Sequence, residues 1–151
     1  MNPVDHDSVP AAPTALSAVH RVRLLGLGRR VSFEPGTLLF SEGDSADQLW
    51  VLHSGRVALV AGHPGRGELV VETLGAGDLL GVSGLTRYRS YHYGARALLP
   101  TEATEIAVDD LHTMTRADPE FGAAVADLLV ETLLERLQSA RARLLDLYEP
   151  T

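Results

Sequence analysis

Phe33-Glu34-Pro35-Gly36-Thr37-Leu38-Leu39-Phe40-Ser41-Glu42-Gly43-Asp44 is the stretch on which the fold turns. Pro35-Gly36 is a turn signal, because proline presets φ and glycine accepts the positive φ that tight turns need. Val31 and Phe33 alternate before it, and Leu38 and Phe40 alternate after it. Glu42-Gly43-Asp44 then reads as a second turn. Apolar runs this short, bounded by turns, are strands and not helices. Moving outward, Leu49, Val51 and His53 alternate up to Ser54-Gly55, and Val57, Leu59 and Ala61 continue beyond that glycine. Residues 62–67 (GHPGRG) read as a hairpin tip, and Leu69, Val71 and Thr73 as the returning strand. After a glycine-punctuated loop, residues 95–99 and 103–108 add two more. Seven or eight short strands at near-regular spacing predict a sandwich or barrel over about residues 31–108.

Outside this region the period changes to that of a helix. Thr14 reads as an N-cap, and Leu16, Val19, Leu24 and Leu27 follow at helical spacing up to Gly28. Residues 1–13 are polar, with Pro3, Pro10 and Pro13, and read as a disordered tail. Toward the C-terminus, Asp109-Asp110 reads as the cap of a short helix running through Thr115. Asp118-Pro119 gives an N-cap followed by proline at the first helical position. From there to Leu147 only Gly122 interrupts a strong helical pattern, and Pro150 ends it. Val130, Leu133, Leu137, Ala140, Leu144 and Leu147 step alternately by three and four, as an a/d seam does. Phe121, Val125, Leu128 and Leu129 widen the stripe in the first half. The first half is therefore expected on the strand domain, and the second half in a self-association seam.

The 151 residues suit one domain spanning residues 14–151, and 45% apolar content can fill a core. The formal net charge is −7, all 13 basic residues are arginine, and no dense basic run exists. Affinity for nucleic acid comes largely from neutralised phosphates, so nucleic acid is not the expected partner. The absence of cysteine excludes disulfides, thiol catalysis and thiolate metal sites. No apolar run reaches the roughly 18 residues of a membrane span, and no signal core precedes the domain. The expectation is no membrane partner and a cytoplasmic location.

Helix, strand domain and long helix, in that order, resemble the cyclic-nucleotide-binding domain of the catabolite activator (Crp/Fnr) type. Residues 33–40 with Glu42-Gly43-Asp44 are similar to that family's F-x-P-G and E-G-(D/E) signature. Leu49-Trp50-Val51-Leu52 and Ser54-Gly55-Arg56-Val57 are similar to its Y-(I/V)-(I/L)-x-x-G-x-V. Leu74-Gly75-Ala76-Gly77-Asp78-Leu79-Leu80-Gly81 resembles the segment that opens its phosphate-binding cassette. The resemblance covers about residues 14–147. It implies a mainly β fold with flanking helices: a jelly-roll-like β-roll, then C-terminal helices at about 109–147.

Two departures matter for function. The family places a ribose-binding Glu just after the cassette glycine, whereas this chain has Val82. The family's phosphate-binding Arg opens an R-(S/T)-A triplet, which here falls on Tyr91-His92-Tyr93 if the loop is one residue shorter. A charge-assisted bond is worth roughly 1.5–3 kcal/mol, and about 1.4 kcal/mol is tenfold in affinity. Any ligand would be met by Gly81, Val82, Ser83, Gly84, Tyr91, His92 and Tyr93, with Arg136 on the long helix covering the site. Arg87, Arg89 and Arg96 are alternative phosphate contacts, and backbone amides near residues 81–84 are further donors.

No enzyme chemistry is expected. Gly81-Val82-Ser83-Gly84 does not have the G-x-S-x-G spacing, and the chain has no lysine for a P-loop. The histidines do not pair at metal-ligand spacing: His53, His63 and His92 are isolated, and His20 and His112 have no partner one turn on. With four residues after Leu147, no helix-turn-helix is expected. The resulting expectation is a stand-alone, degenerate cyclic-nucleotide-binding-like domain, regulatory or protein-interacting. It would pair with a second copy through its long helix or dock on an unknown protein. The alternative is a small-ligand sensor with an altered cassette, taking cyclic AMP or cyclic GMP weakly, or another molecule.

Overall fold

A computed structural model describes residues 16–148, so the expected tail and Thr14 lie outside the described residues. The first helix, α1, is Ala18–Gly26. Its N-cap is Ser17, whose side chain accepts from the His20 amide at 3.3 Å. The sequence reading set the N-cap three residues earlier, at Thr14. Eight described strands follow: β1 Arg29–Phe33, β2 Leu38–Phe40, β3 Gln48–Ser54, β4 Val57–His63, β5 Gly67–Leu74, β6 Leu79–Leu80, β7 Gly94–Ala97 and β8 Thr101–Ala107. They form two antiparallel four-stranded sheets in the orders β1-β8-β3-β6 and β2-β7-β4-β5. The expected turns hold: Gly36 and Gly43 have φ of +88° and +89°, and His63 pairs with Gly67 across the hairpin tip. β6 was read as loop, because two residues carry no periodicity.

β3 decides how the layers stack. Leu49 through His53 are all buried, so the strand has no solvent face. Successive side chains point to opposite sides of a sheet. Trp50 and Leu52 join Phe40, Leu59, Leu74, Leu80 and Tyr91 in the interior between the sheets. Leu49 and Val51 join Leu24, Leu79, Ile106, Leu111, Phe121 and Val125 in a second core under the helices.

Helix α2, Val108–Ala117, and helix α3, Pro119–Tyr148, complete the fold. Asp109 and Asp110 do not cap α2. They sit in its first turn, where a negative charge favours the helix dipole, while the N-cap is Ala107. The Val108 amide donates instead to the Asp47 carbonyl at 2.9 Å. Asp118 does cap α3, accepting from the Phe121 amide at 3.2 Å, and it also pairs with Arg23 of α1. Phe121, Val125 and Leu128 bury the first half of α3, as expected. Val130, Leu133, Leu137, Leu144 and Leu147 are exposed. The second half nevertheless touches the roll, through polar side chains described below.

Phe121 is fully buried where α3, α1 and β3 meet. Phe121→Ala is expected to destabilise the protein by about 3–5 kcal/mol, measured by urea unfolding. A loss below about 1 kcal/mol would mean that the helical core is not packed as described.

Candidate functional site

The segment expected to meet a ligand begins where β6 ends. Gly81 turns the chain with φ of +83° into a single 3-10 turn, Val82–Leu85. A Cβ at Gly84 would stand 2.3 Å from the Ala46 carbonyl oxygen and 2.8 Å from Val108 Cγ2. The cassette is thus pressed onto the chain before β3 and onto the start of α2. Val82 is partly buried and packs, with Leu85, on the core beneath the helices. The Ser83 carbonyl accepts from the Thr86 amide at 3.1 Å and the Thr86 hydroxyl at 2.7 Å, which closes the turn.

The expected Tyr91-His92-Tyr93 cluster is divided. Residues 43–46 pair with residues 89–91 through Gly43 to Tyr91 at 2.8 Å, Tyr91 to Asp44 at 3.0 Å and Ala46 to Arg89 at 2.8 Å. This pairing holds Tyr91 in the interior between the sheets. Its ring stacks on Phe40 with centroids 3.8 Å apart, and its hydroxyl donates to the Gln48 carbonyl at 2.7 Å. Burial pushes the Tyr91 phenol above its ordinary range. His92 and Tyr93 are exposed, and His92 meets the Tyr88 ring edge-on at 5.1 Å. The three residues do not line one recess.

The arginines divide as sharply. Arg96 is committed: it grips Glu68 through two bonds of 2.9 and 3.0 Å and donates to the Gly36 carbonyl at 2.9 Å. That grip lowers the Glu68 carboxyl and raises the Arg96 guanidinium from their ordinary values. Arg87 and Arg89 are exposed, and neither forms an ion pair among the described residues. Arg87 lies over the neighbouring Tyr88 ring, 5.3 Å from its centroid.

Arg136 comes from the other side. It is partly buried, reaches from α3 to the cassette strand, and donates to the Leu79 carbonyl. Burial lowers its basicity, while Asp78, Glu72, Tyr93 and Glu135 act in the opposite direction. One turn further on, the Ser139 hydroxyl donates to Glu72 at 3.1 Å. Arg143 pairs with Glu72 at 2.8 Å and donates to the Val71 carbonyl. Positions 136, 139 and 143 share one helix face, so a polar stripe clasps α3 to β5 and β6. Glu72, Ser139 and Arg143 escaped the sequence reading, although the spacing of Ser139 and Arg143 from Arg136 on the helix was there to be seen. Among the described residues no cluster of His, Asp and Glu is set for a metal ion.

Two outcomes test this geometry. Gly84→Ala must displace backbone and is expected to lower stability by at least about 2 kcal/mol, read by chemical denaturation. A neutral substitution would contradict the close approach. For Tyr91, the unfolded phenol ionises near 10.0 and the folded one later. Above pH 10 the unfolded state has therefore lost a proton that the folded state keeps. Tyr91's contribution is present below pH 10 and is lost as pH rises through the folded value. Stability of the unmodified chain should fall more steeply above about pH 10 than that of Tyr91→Phe. Parallel curves would place Tyr91 in water.

Comparison with known proteins agrees with this architecture. The family model for the cyclic nucleotide-binding domain matches residues 30–118. Among solved structures, a cyclic nucleotide-binding domain from Methylobacillus flagellatus superposes with a TM-score of 0.79 at 22% identity, covering 90% of this chain and 76% of that one. The catabolite activator protein of Thermus thermophilus gives 0.71 at 27% identity, covering 89% and 62%. The N-terminal domain of a transcriptional regulator from Streptomyces coelicolor gives 0.69 at 25% identity, covering 80% and 86%. No curated protein sequence matches. With the family model spanning more than half of its length, and with the two-sheet roll and glycine-opened cassette in place, the chain belongs to the cyclic nucleotide-binding domain family.

Proposed function

We propose that this chain is a regulatory module whose roll no longer binds cyclic nucleotides tightly and which acts through its long helix. One observation carries the reading: Val82, Arg96 and Tyr91, three of the expected ligand residues, are each engaged within the roll. Val82 is used in the helical core, Arg96 is held by Glu68, and Tyr91 is stacked in the interior. Arg136 reaches the cassette strand, but Glu72 and Asp78 lie beside it and would repel an anion.

The partner suggested by α3 is a second copy of the chain. The stripe at Val130, Leu133, Leu137 and Leu144 is 47–64% exposed. It lies on a different helix face from the clasp at Arg136, Ser139 and Arg143. Leucine-rich a/d spacing is self-complementary, and two such helices bury their stripes against each other. A sensor reading for another small ligand has one observation in its favour, the exposed arginines Arg87 and Arg89 in the cassette loop.

Thermal unfolding with millimolar cyclic AMP and with millimolar cyclic GMP tests the first part. A ligand at about 100 times its dissociation constant adds roughly 2.7 kcal/mol, which moves the midpoint by several degrees in a domain of this size. A shift below about 1 °C is expected with either nucleotide. A clear shift that Arg87→Ala or Arg89→Ala abolishes would establish the sensor reading instead. Light scattering tests the second part. The unmodified chain should run as a dimer and Leu137→Asp as a folded monomer. A monomeric unmodified chain would exclude self-association.

A further inference from the structure

We propose that Glu72 is a latch built into the roll: a bulge in β5 presents it to α3, and its charge holds the second half of that helix in place without any ligand. The inference rests on the reading that this roll no longer binds cyclic nucleotides tightly, and it names what positions the helix instead.

Helix α3 is attached to the roll in two different ways. Phe121, Val125 and Leu128 are buried in the helical core, and beyond Leu128 no described residue of α3 belongs to either core. Val130, Leu133, Leu134, Leu137 and Leu144 all stay exposed. A segment with so few buried apolar contacts has little local stability of its own, so its place depends on polar contacts. Those contacts converge on β5. Leu59 of β4 pairs with Glu72, but the next residue, Val60, pairs with Val70. Val71 is therefore an extra residue, a β-bulge, which bends the strand and re-aims its groups. Arg143 donates to the Val71 carbonyl and pairs with the Glu72 carboxylate at 2.8 Å. The Ser139 hydroxyl donates to the same carboxylate at 3.1 Å, and Arg143 donates to Ser139 at 3.4 Å, which closes the set. The Glu72 side chain is only 15% exposed, so solvent and salt screen this pair less than a surface ion pair. Among the described residues, Glu72 is the one carboxylate of the roll that ion-pairs with α3. Arg136 adds a bond to an uncharged acceptor, the Leu79 carbonyl. Removing the Glu72 carboxylate frees the half beyond Leu128 to leave the roll, and the exposed apolar stripe moves with it.

Distance measurement between paired nitroxide labels tests this in the full chain, which has no cysteine of its own. One pair is placed at Arg56→Cys, between β3 and β4, and Gln138→Cys, in the second half of α3. A control pair joins Arg56→Cys to Ala123→Cys, in the first half. Labelled chain is diluted with unlabelled chain, so that only distances within one chain are read. The otherwise unmodified chain should give one narrow distance for each pair. Glu72→Ala should broaden the distance to residue 138 and leave the distance to residue 123 unchanged. Exchanging the charges, with Glu72→Arg and Arg143→Glu together, should narrow it again. If Glu72→Ala does not fold, Glu72→Gln keeps the shape, removes the charge and carries the same comparison. An unchanged distance to residue 138 overturns the proposal. Broadening of both pairs overturns it too, since that marks a general loosening of the roll. The two readings fail separately. A distance to residue 138 that is broad until cyclic AMP or cyclic GMP is added defeats the cassette reading along with the latch. A narrow one that responds neither to nucleotide nor to Glu72→Ala defeats the latch alone.

Discussion

Strand β3 buries five consecutive side chains, Leu49 to His53, and it can do so only because both faces of its sheet are covered. One face must meet a second sheet and the other must meet helices. Backbone hydrogen bonds to β8 and β6 satisfy its polar groups, which a strand without a solvent face requires. The two cores follow from the pleat of this one strand. Trp50 and Leu52 organise the interior, and Leu49 and Val51 organise the helical side. The cassette hangs on the same constraint. β6 pairs with β3 through Trp50–Leu80 and Val51–Leu79, and the chain leaves β6 directly into Gly81. A change in how β3 is covered would move the cassette with it.

The family fold is retained, and Val82, Tyr91 and Arg96 are all packed or paired within it. An acidic or basic residue at position 82 would face desolvation in its present surroundings, and valine does not. Tyr91 stacks on Phe40 and closes a backbone bond to Gln48, so it acts as a core residue with a satisfied hydroxyl. Arg96 sits on β7 within reach of Glu68 on the edge strand β5 and fastens that edge. Each of these residues stabilises the roll in the ligand-free chain. The helix contributes Arg136, which donates to the Leu79 carbonyl, and the roll supplies Glu72 to hold Ser139 and Arg143. The long helix therefore has three faces. It carries a buried apolar face at Phe121, Val125 and Leu128, a polar clasp at Arg136, Ser139 and Arg143, and an exposed apolar stripe.

Much of the fold was legible in the sequence. Glycine and proline turns at Pro35-Gly36, Gly43 and Gly55 marked strand ends because turn geometry is a local property. The Asp118-Pro119 start of α3 was legible for the same reason. What escaped reading depends on tertiary context. β6 is two residues long and exists only because β3 pairs with it. Asp109-Asp110 looked like a cap, but the chain enters α2 straight from β8, and a backbone carbonyl from Asp47 takes that role. At the candidate site, the changed residue types at 82 and 91–93 could be read, but not their directions. Tyr91, His92 and Tyr93 are adjacent in sequence, but the chain bends at 92–93, so that Tyr91 is turned inward and the other two stay exposed. The clasp was missed because it joins residues some 70 positions apart, as in Ser139 to Glu72.

Hydrogen–deuterium exchange along α3 of the ligand-free chain tests most directly whether the helix is held on the roll by its own side chains. Protection that continues from Leu128 through Arg136 to Arg143, and does not change when millimolar cyclic nucleotide is added, is the expected result. Rapid exchange beyond Leu128 in the free chain, slowed only by cyclic nucleotide, would contradict it. The helix would then be held on the roll by a ligand and not by Arg136, Ser139 and Arg143.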